Sequence, residues 1–221
     1  GLRRAAIVYR NDSYGRDWSA AFRTAWLAAG GRVVAREPYV RGLMEWEAYA
    51  QLLARRAPDV ILFPGDAADA EELLGALRRS GSRALFVGGD GTEALLDGDA
   101  WPEARVITFF RGDTALTAAG RTFIVRHRAR HGSPPDMVAA FAHDATLLLG
   151  RAAVHAEASA APRDWRGRRA AVRDWLAGLG RTRPPLAGVT GPLAFDTLQE
   201  VVARPIRLAG RGRPPVRGSA E

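Results

Sequence analysis

Apolar positions along this chain change their period at regular intervals. "RAAIVYR" (residues 4–10) is a short apolar run of strand length. From residue 16 to 29 the apolar positions Trp18, Phe22, Ala25, Trp26 and Ala29 then recur at helical spacing. Gly30 and Gly31 stop that pattern. "RVVARE" predicts a second strand ended by Pro38, "WEAYAQLLARRA" a second helix and "PDVILFPG" a third strand. "ADAEELLGALRRSG" predicts a third helix, with acids in its first turn and arginines in its last, as the helix dipole favours. "RALFVGGDG" and "ARVITFF" complete the strands. Strand and helix alternating at this spacing predict βαβ units and a parallel sheet covered on both faces.

After Phe110 the alternation ends. "TALTAAGRTFIVRHRARHG", "DMVAAFAHDATLLLGRAAVHAEA" and "DWRGRRAAVRDWLAGLG" are three helical patterns in succession, followed by the Pro/Gly-rich connection "TRPPLAGVTGP". "LAFD" and "EVVARPIRLAG" predict two short strands, and residues 211–221 a flexible tail. The three helices carry apolar faces with no strands of their own to cover.

Composition alters this picture little. The 221 residues are 47% hydrophobic, ample for a buried core. The net charge of +8 is carried entirely by arginine, since the chain has no lysine. Residues 1–100 hold 13 Arg against 14 acids, and residues 101–221 hold 19 against 10. The arginines are scattered and lack an aromatic stacking platform, so a nucleic-acid partner is not expected. Without cysteine there is no disulfide framework and no Cys-based metal site. No uninterrupted apolar run of about 18 residues exists, so no membrane-spanning segment is expected. The chain lacks an initiating Met and opens almost directly on a strand, which suggests a processed product, a cloned segment or a fragment.

Ligands of open parallel sheets lie beyond the carboxyl ends of the strands. Three loops occupy such positions: "NDSYG" with Ser13 and Tyr14, "PGDAAD" with Asp66, and "GGDGTE" with Asp90. A phenol and two carboxylates suit an apolar molecule bearing an ammonium group. Helix capping is the alternative role for either Asp, and packing for Tyr14. Enzyme chemistry finds less support. The first strand-to-helix turn lacks G-x-G-x-x-G, a phosphate loop ending in Gly-Lys is impossible without lysine, and no G-x-S-x-G elbow occurs. His127 and His131 have a zinc-compatible spacing, but Arg128 stands where H-E-x-x-H has its Glu, and a solvated helix face is the expectation. His143, before Asp144, reads as a paired core or lobe-edge histidine, His155 as surface, and "RGD" at 111–113 as a chance tripeptide.

The order of these pieces resembles a known family. "AAIVYRNDSYGRDWSAAFRTAWLAAGGRVVAREPY" is similar to the start of the C-terminal lobe of type I periplasmic solute-binding proteins, which include the leucine/isoleucine/valine receptors of ABC transporters. "APDVILFPGDAADAEELLGALRRSG", "ALFVGGDG", "FIVRHRARHGSPPDMVAAFAHDATLLLGRA" and "GVTGPLAFD" continue it in register. The resemblance implies an α/β chain: a Rossmann-like lobe from residues 1–112 and 188–210, with the helices of 113–187 belonging to a second, incomplete lobe. It implies ligand binding by Ser13, Tyr14, Asp66, Asp90 and His143, with Asp90 in place of the acid that meets a ligand's ammonium. Family members often carry Tyr at His143, and the branched-chain receptors an aromatic at Asp66, which implies a ligand more polar or cationic than leucine. The implied function is capture of an amino acid or related carboxylate for an ABC permease, without cofactor or catalysis. The location would be periplasmic or extracellular, with lipid anchoring of the full-length parent one arrangement. A ligand-sensing receptor domain of a regulatory protein is the alternative use of the same fold.

Overall fold

The computed structural model describes residues 1–112, 117–159, 164–202 and 204–210, so the tail expected at 211–221 lies outside the described residues. The chain forms two compact units. One comprises Gly1–Thr108 with the segment that begins at Arg207, and the other Phe109–Ile206.

The first unit is built as its periodicity predicts. β1 (Arg4–Arg10), α1 (Ser13–Ala28), β2 (Arg32–Tyr39), α2 (Trp46–Arg56), β3 (Val60–Phe63), α3 (Ala67–Arg79), β4 (Leu85–Gly88) and β5 (Arg105–Thr108) follow in order, with a 3₁₀ turn at Asp90–Leu96. These five strands pair in parallel in the order β2-β1-β3-β4-β5, and a late strand, Arg207–Gly210, closes the far edge antiparallel to β5. Both faces are buried, as strands of a parallel sheet require. Ala6, Val8, Ile61, Phe63 and Phe86 pack with Trp46 and Leu53 of α2 and Leu73, Leu74 and Leu77 of α3. Ala5, Ile7, Val60 and Leu62 pack on the other face with Phe22 and Trp26 of α1. Tyr39 and Phe63 stack at 5.3 Å, and Phe63 meets Phe86 at 5.6 Å, fixing the carboxyl end of the sheet from below.

Two boundaries differ from the sequence expectation. β2 runs through Pro38 to Tyr39 because it is an edge strand, where a residue without N–H is tolerated. α1 starts at Ser13, three residues early, because the Asp12 carboxylate caps it by accepting from the Gly15 N–H at 2.8 Å.

A second carboxylate pins the start of the sheet. Asp59 Oδ2 accepts from the backbone N–H groups of Arg3 (2.7 Å) and Arg4 (2.8 Å). These bonds hold the Asp59 carboxyl below its ordinary range, and the Gly15 N–H, ahead of Arg10, does the same for Asp12. A depressed folded-state value stabilises the fold fully above the unfolded value of about 4, and that stability is lost as pH falls through the folded value. The urea midpoint is therefore expected to drop between about pH 5 and about pH 3, and Asp59→Asn to flatten that dependence. A midpoint of the same pH slope in both proteins would contradict it.

In the second unit, α4 (Ala118–His131), α5 (Met137–Ser159) and α6 (Trp165–Ala177) precede a small antiparallel sheet. Its strands are β6 (Leu186–Ala187), β7 (Pro192–Phe195) and β8 (Val201–Val202), before β9 (Arg207–Gly210) rejoins the first unit. "EVVARPIRLAG" thus makes two strands, in different sheets, with Pro205 between them. Of residues 188–210, those up to 206 group with the helices and only β9 joins the large sheet. α5 is long and apolar enough to cross a membrane by length and composition alone, although it holds no uninterrupted apolar run of 18 residues. In this fold it packs along α6 and carries the buried Asp144, which accepts from Val189 and Thr190 backbone N–H groups.

Candidate functional site

The site candidates of the first unit stand at the carboxyl rim of its sheet, where backbone bonds continue past the strand ends. Arg10 N–H donates to Pro64 O (3.2 Å), Asn11 N–H to Tyr39 O (2.8 Å) and Gly89 N–H to Phe63 O (3.1 Å). The loops after β1, β3 and β4 are therefore fixed to one another. Two glycines let them approach. A Cβ on Gly89 would lie 2.6 Å from the Tyr14 hydroxyl, and one on Gly91 would lie 2.6 Å from Gly65 O and 3.9 Å from Asp66 Oδ1. No side chain fits either gap.

Tyr14, in the first turn of α1, is half-buried, and its hydroxyl donates to Asp90 Oδ1 at 2.5 Å. The phenol oxygen in turn accepts from the Gly91 N–H. Burial first, then the hydrogen bond and charge of Asp90, raise the phenol far above its ordinary value. It therefore stays protonated and serves as a donor. That leaves Asp90 a half-exposed carboxylate whose partner among the described residues is neutral. Neither Asp90 nor Asp66 makes a side-chain cap, although Asp66 sits at the N-cap position of α3.

Asp66 is engaged differently from the expectation. Its Oδ2 accepts from Arg10 Nη1 at 2.6 Å, and Arg41 Nη1 approaches the same oxygen at 3.5 Å. Arg10 also donates from Nε to Asp12, and its guanidinium lies 5.9 Å from the centre of the Tyr14 ring. Burial works against the Arg10 charge, but Asp12 and Asp66 outweigh it and raise its pKa. No local motif singles out Arg10 or Arg41; their one sequence signal is position, at the end of β1 and just beyond the end of β2.

The structure brings Tyr14 and Asp90 together, with Asp66 adjoining through Gly91 and Arg10. Ser13 is exposed beside Tyr14, and its hydroxyl has no hydrogen bond among the described residues. His143 belongs to the second unit, in α5, with its side chain 42% exposed. It tilts against Phe123 at 4.9 Å and lines a cavity of about 490 Å³ with Phe123, His127 and His131. Its contact to Asp144 is long, 3.4 Å, because that carboxylate is turned toward residues 189 and 190. Among the described residues, no group of three His or acidic side chains is placed to hold a metal ion.

A family model for periplasmic binding proteins matches residues 1–210. No curated protein matches the chain. A solved structure of a branched-chain amino acid ABC transporter protein from Rhodospirillum rubrum is similar at 26% identity and a TM-score of 0.76, covering 96% of this chain and 59% of that one. Two further structures share the fold. An ABC transporter substrate-binding protein from Desulfitobacterium hafniense in complex with Leu is 24% identical, with a TM-score of 0.73 over 94% of this chain and 57% of that one. A solute-binding protein from R. palustris in complex with benzoate is 20% identical, with a TM-score of 0.72 over 95% and 58%. The chain spans less than two thirds of the length of each.

Proposed function

Because this chain belongs to the periplasmic binding protein family, we propose that it serves an extracytoplasmic solute-binding protein that captures an amino acid or related carboxylate for an ABC permease. The observation that carries this reading is the Tyr14–Asp90 pair: a carboxylate held in place by a neutral donor, at a sheet rim, with its charge unspent. Such a group binds a ligand ammonium at little reorganisation cost. Tyr14 is the companion wall, and Ser13, Asp66 and His143 are further candidates to line the ligand's path. Binding without turnover is the expected chemistry, since the rim pairs a protonated phenol with carboxylates and offers no activated nucleophile among the described residues.

The proposed mechanism is hinge closure. The chain leaves the first unit after Thr108 and returns at Arg207, two residues paired in register on adjacent antiparallel strands. A ligand that binds the closed state better than the open one favours closure. The helices of 113–187 are read as part of the opposing lobe, and the site of action as periplasmic or extracellular.

Isothermal titration of the protein in its full coded length against a panel of amino acids and benzoate tests this. One-to-one binding of at least one amino acid, with a smaller radius of gyration in solution scattering on saturation, is the expected result. Absence of binding by every amino acid and carboxylate tried would overturn it.

A further inference from the structure

Resting on the reading above, in which Asp90 meets a ligand's ammonium, we infer that Arg10, Asp66 and Arg41 form a specificity-determining ion cluster. It selects a ligand whose distal end carries a carboxylate over one ending in an aliphatic or cationic group. An open Asp66 would attract a cation, which is what its position in the sequence suggests. Two guanidinium groups converge on it instead, Arg10 at 2.6 Å and Arg41 at 3.5 Å.

The local charges decide the preference. Arg10 and Arg41 face Asp12 and Asp66, so this part of the rim is balanced, and Asp90 is left for the ammonium. Arg10 spends Nε on Asp12 and Nη1 on Asp66. Arg41 spends little: its side chain is 63% exposed and its approach to Asp66 is too long for a hydrogen bond. It therefore keeps a planar fork of donors, the geometry that pairs with a carboxylate. Arg10 and Asp66 adjoin the Tyr14–Asp90 pair, and Arg41 approaches the Asp66 oxygen that Arg10 holds. Arg10 is 5.9 Å from the Tyr14 ring, and Gly91 separates the Asp66 and Asp90 loops by no more than a backbone.

Three kinds of ligand tail fare differently here. A leucine-like tail strips water from the guanidinium groups and returns no hydrogen bond. A lysine-like tail meets two cations, with Asp66 already claimed. A glutamate-like tail replaces that water with charge-assisted bonds to Arg41.

Calorimetry on the protein in its full coded length, with glutamate, leucine and lysine, tests the inference together with the Arg41→Met and Asp90→Asn variants. Glutamate is expected to bind about tenfold or more tightly than leucine, with lysine weakest. Arg41→Met is expected to lower glutamate affinity about tenfold and bring its ratio to leucine toward unity. Leucine or lysine binding as tightly as glutamate, and lost in Asp90→Asn, would overturn the tail preference while leaving the ammonium site standing. Binding of none of the three would overturn this inference, while binding of another amino acid or carboxylate in the wider panel would leave the proposed function standing.

Discussion

Asp144→Ala is expected to destabilise the second unit by about 3–5 kcal/mol, the largest single-residue effect on stability that the structure implies. The carboxylate is 2% exposed and accepts three hydrogen bonds, from Val189 N–H (2.8 Å), Thr190 N–H (3.0 Å) and the Thr190 hydroxyl (2.6 Å). Truncation orphans three buried donors, each worth about 1–3 kcal/mol when left unmade. Some of that is recovered by relaxation. The surroundings resist it, since the Asp144 oxygens stand within 2.7–2.9 Å of where a Cβ on Gly188 would be. The loss also reaches Arg204, whose half-buried guanidinium lies over the Phe141 ring at 4.5 Å, its Nε without a hydrogen-bond partner among the described residues. Burial lowers the Arg204 pKa, and the charge of Asp144 opposes that shift. Asn is no remedy, because its amide nitrogen would face a donor. Urea unfolding followed by circular dichroism is the check. A midpoint for Asp144→Ala within error of the wild type would show that the clasp on residues 188–190 carries no weight.

This clasp also marks where the sequence ceased to be readable. In "FAHDAT" His143 is the more unusual residue, and Asp144 reads as its companion. The partners of Asp144 are 45 and 46 residues away, and no local pattern announces them. Arg10 and Asp66 pose the same problem at a separation of 56 residues. What unites them is that β1 and β3 are neighbours, with Ala5 opposite Val60. By contrast, the order of strands and helices through residue 110 was legible because burial on both sheet faces imposes a period change at every element. "EVVARPIRLAG", which patterning predicts as one strand, contributes Val201–Val202 to one sheet and Arg207–Gly210 to another. Hydropathy cannot register such an exchange of partners. The rim follows from topology alone, since strand ends of a parallel sheet gather at one edge and place Tyr14, Asp66 and Asp90 there; the Tyr14–Asp90 bond itself is visible only in the structure.

Asp90→Asn is expected to weaken ligand binding about 100-fold, roughly 3 kcal/mol, while changing stability by less than about 1 kcal/mol. The substitution separates charge from shape. Asparagine keeps an oxygen where Oδ1 accepts from the Tyr14 hydroxyl, so the hydrogen bond that fixes the loop survives. Gly91 N–H still reaches the phenol oxygen, and the close approach of the β3 and β4 loops at Gly91 is untouched. The negative charge alone is lost, and with it the charge-assisted bond to an ammonium. Tyr14 supplies an internal control. Burial is the largest cause of its raised pKa and the Asp90 carboxylate the next, so the variant's phenol should titrate lower than the wild type's yet still above its ordinary value. Ultraviolet titration of the tyrosines, read beside calorimetry, distinguishes the possibilities. A downward shift of one tyrosine with affinity unchanged would mean that Asp90 serves Tyr14 and not a ligand. A loss of affinity together with a lowered unfolding midpoint would mean that the loop has collapsed. Loss of affinity at constant midpoint is the outcome expected from the proposed role of Asp90 as the partner of a ligand ammonium.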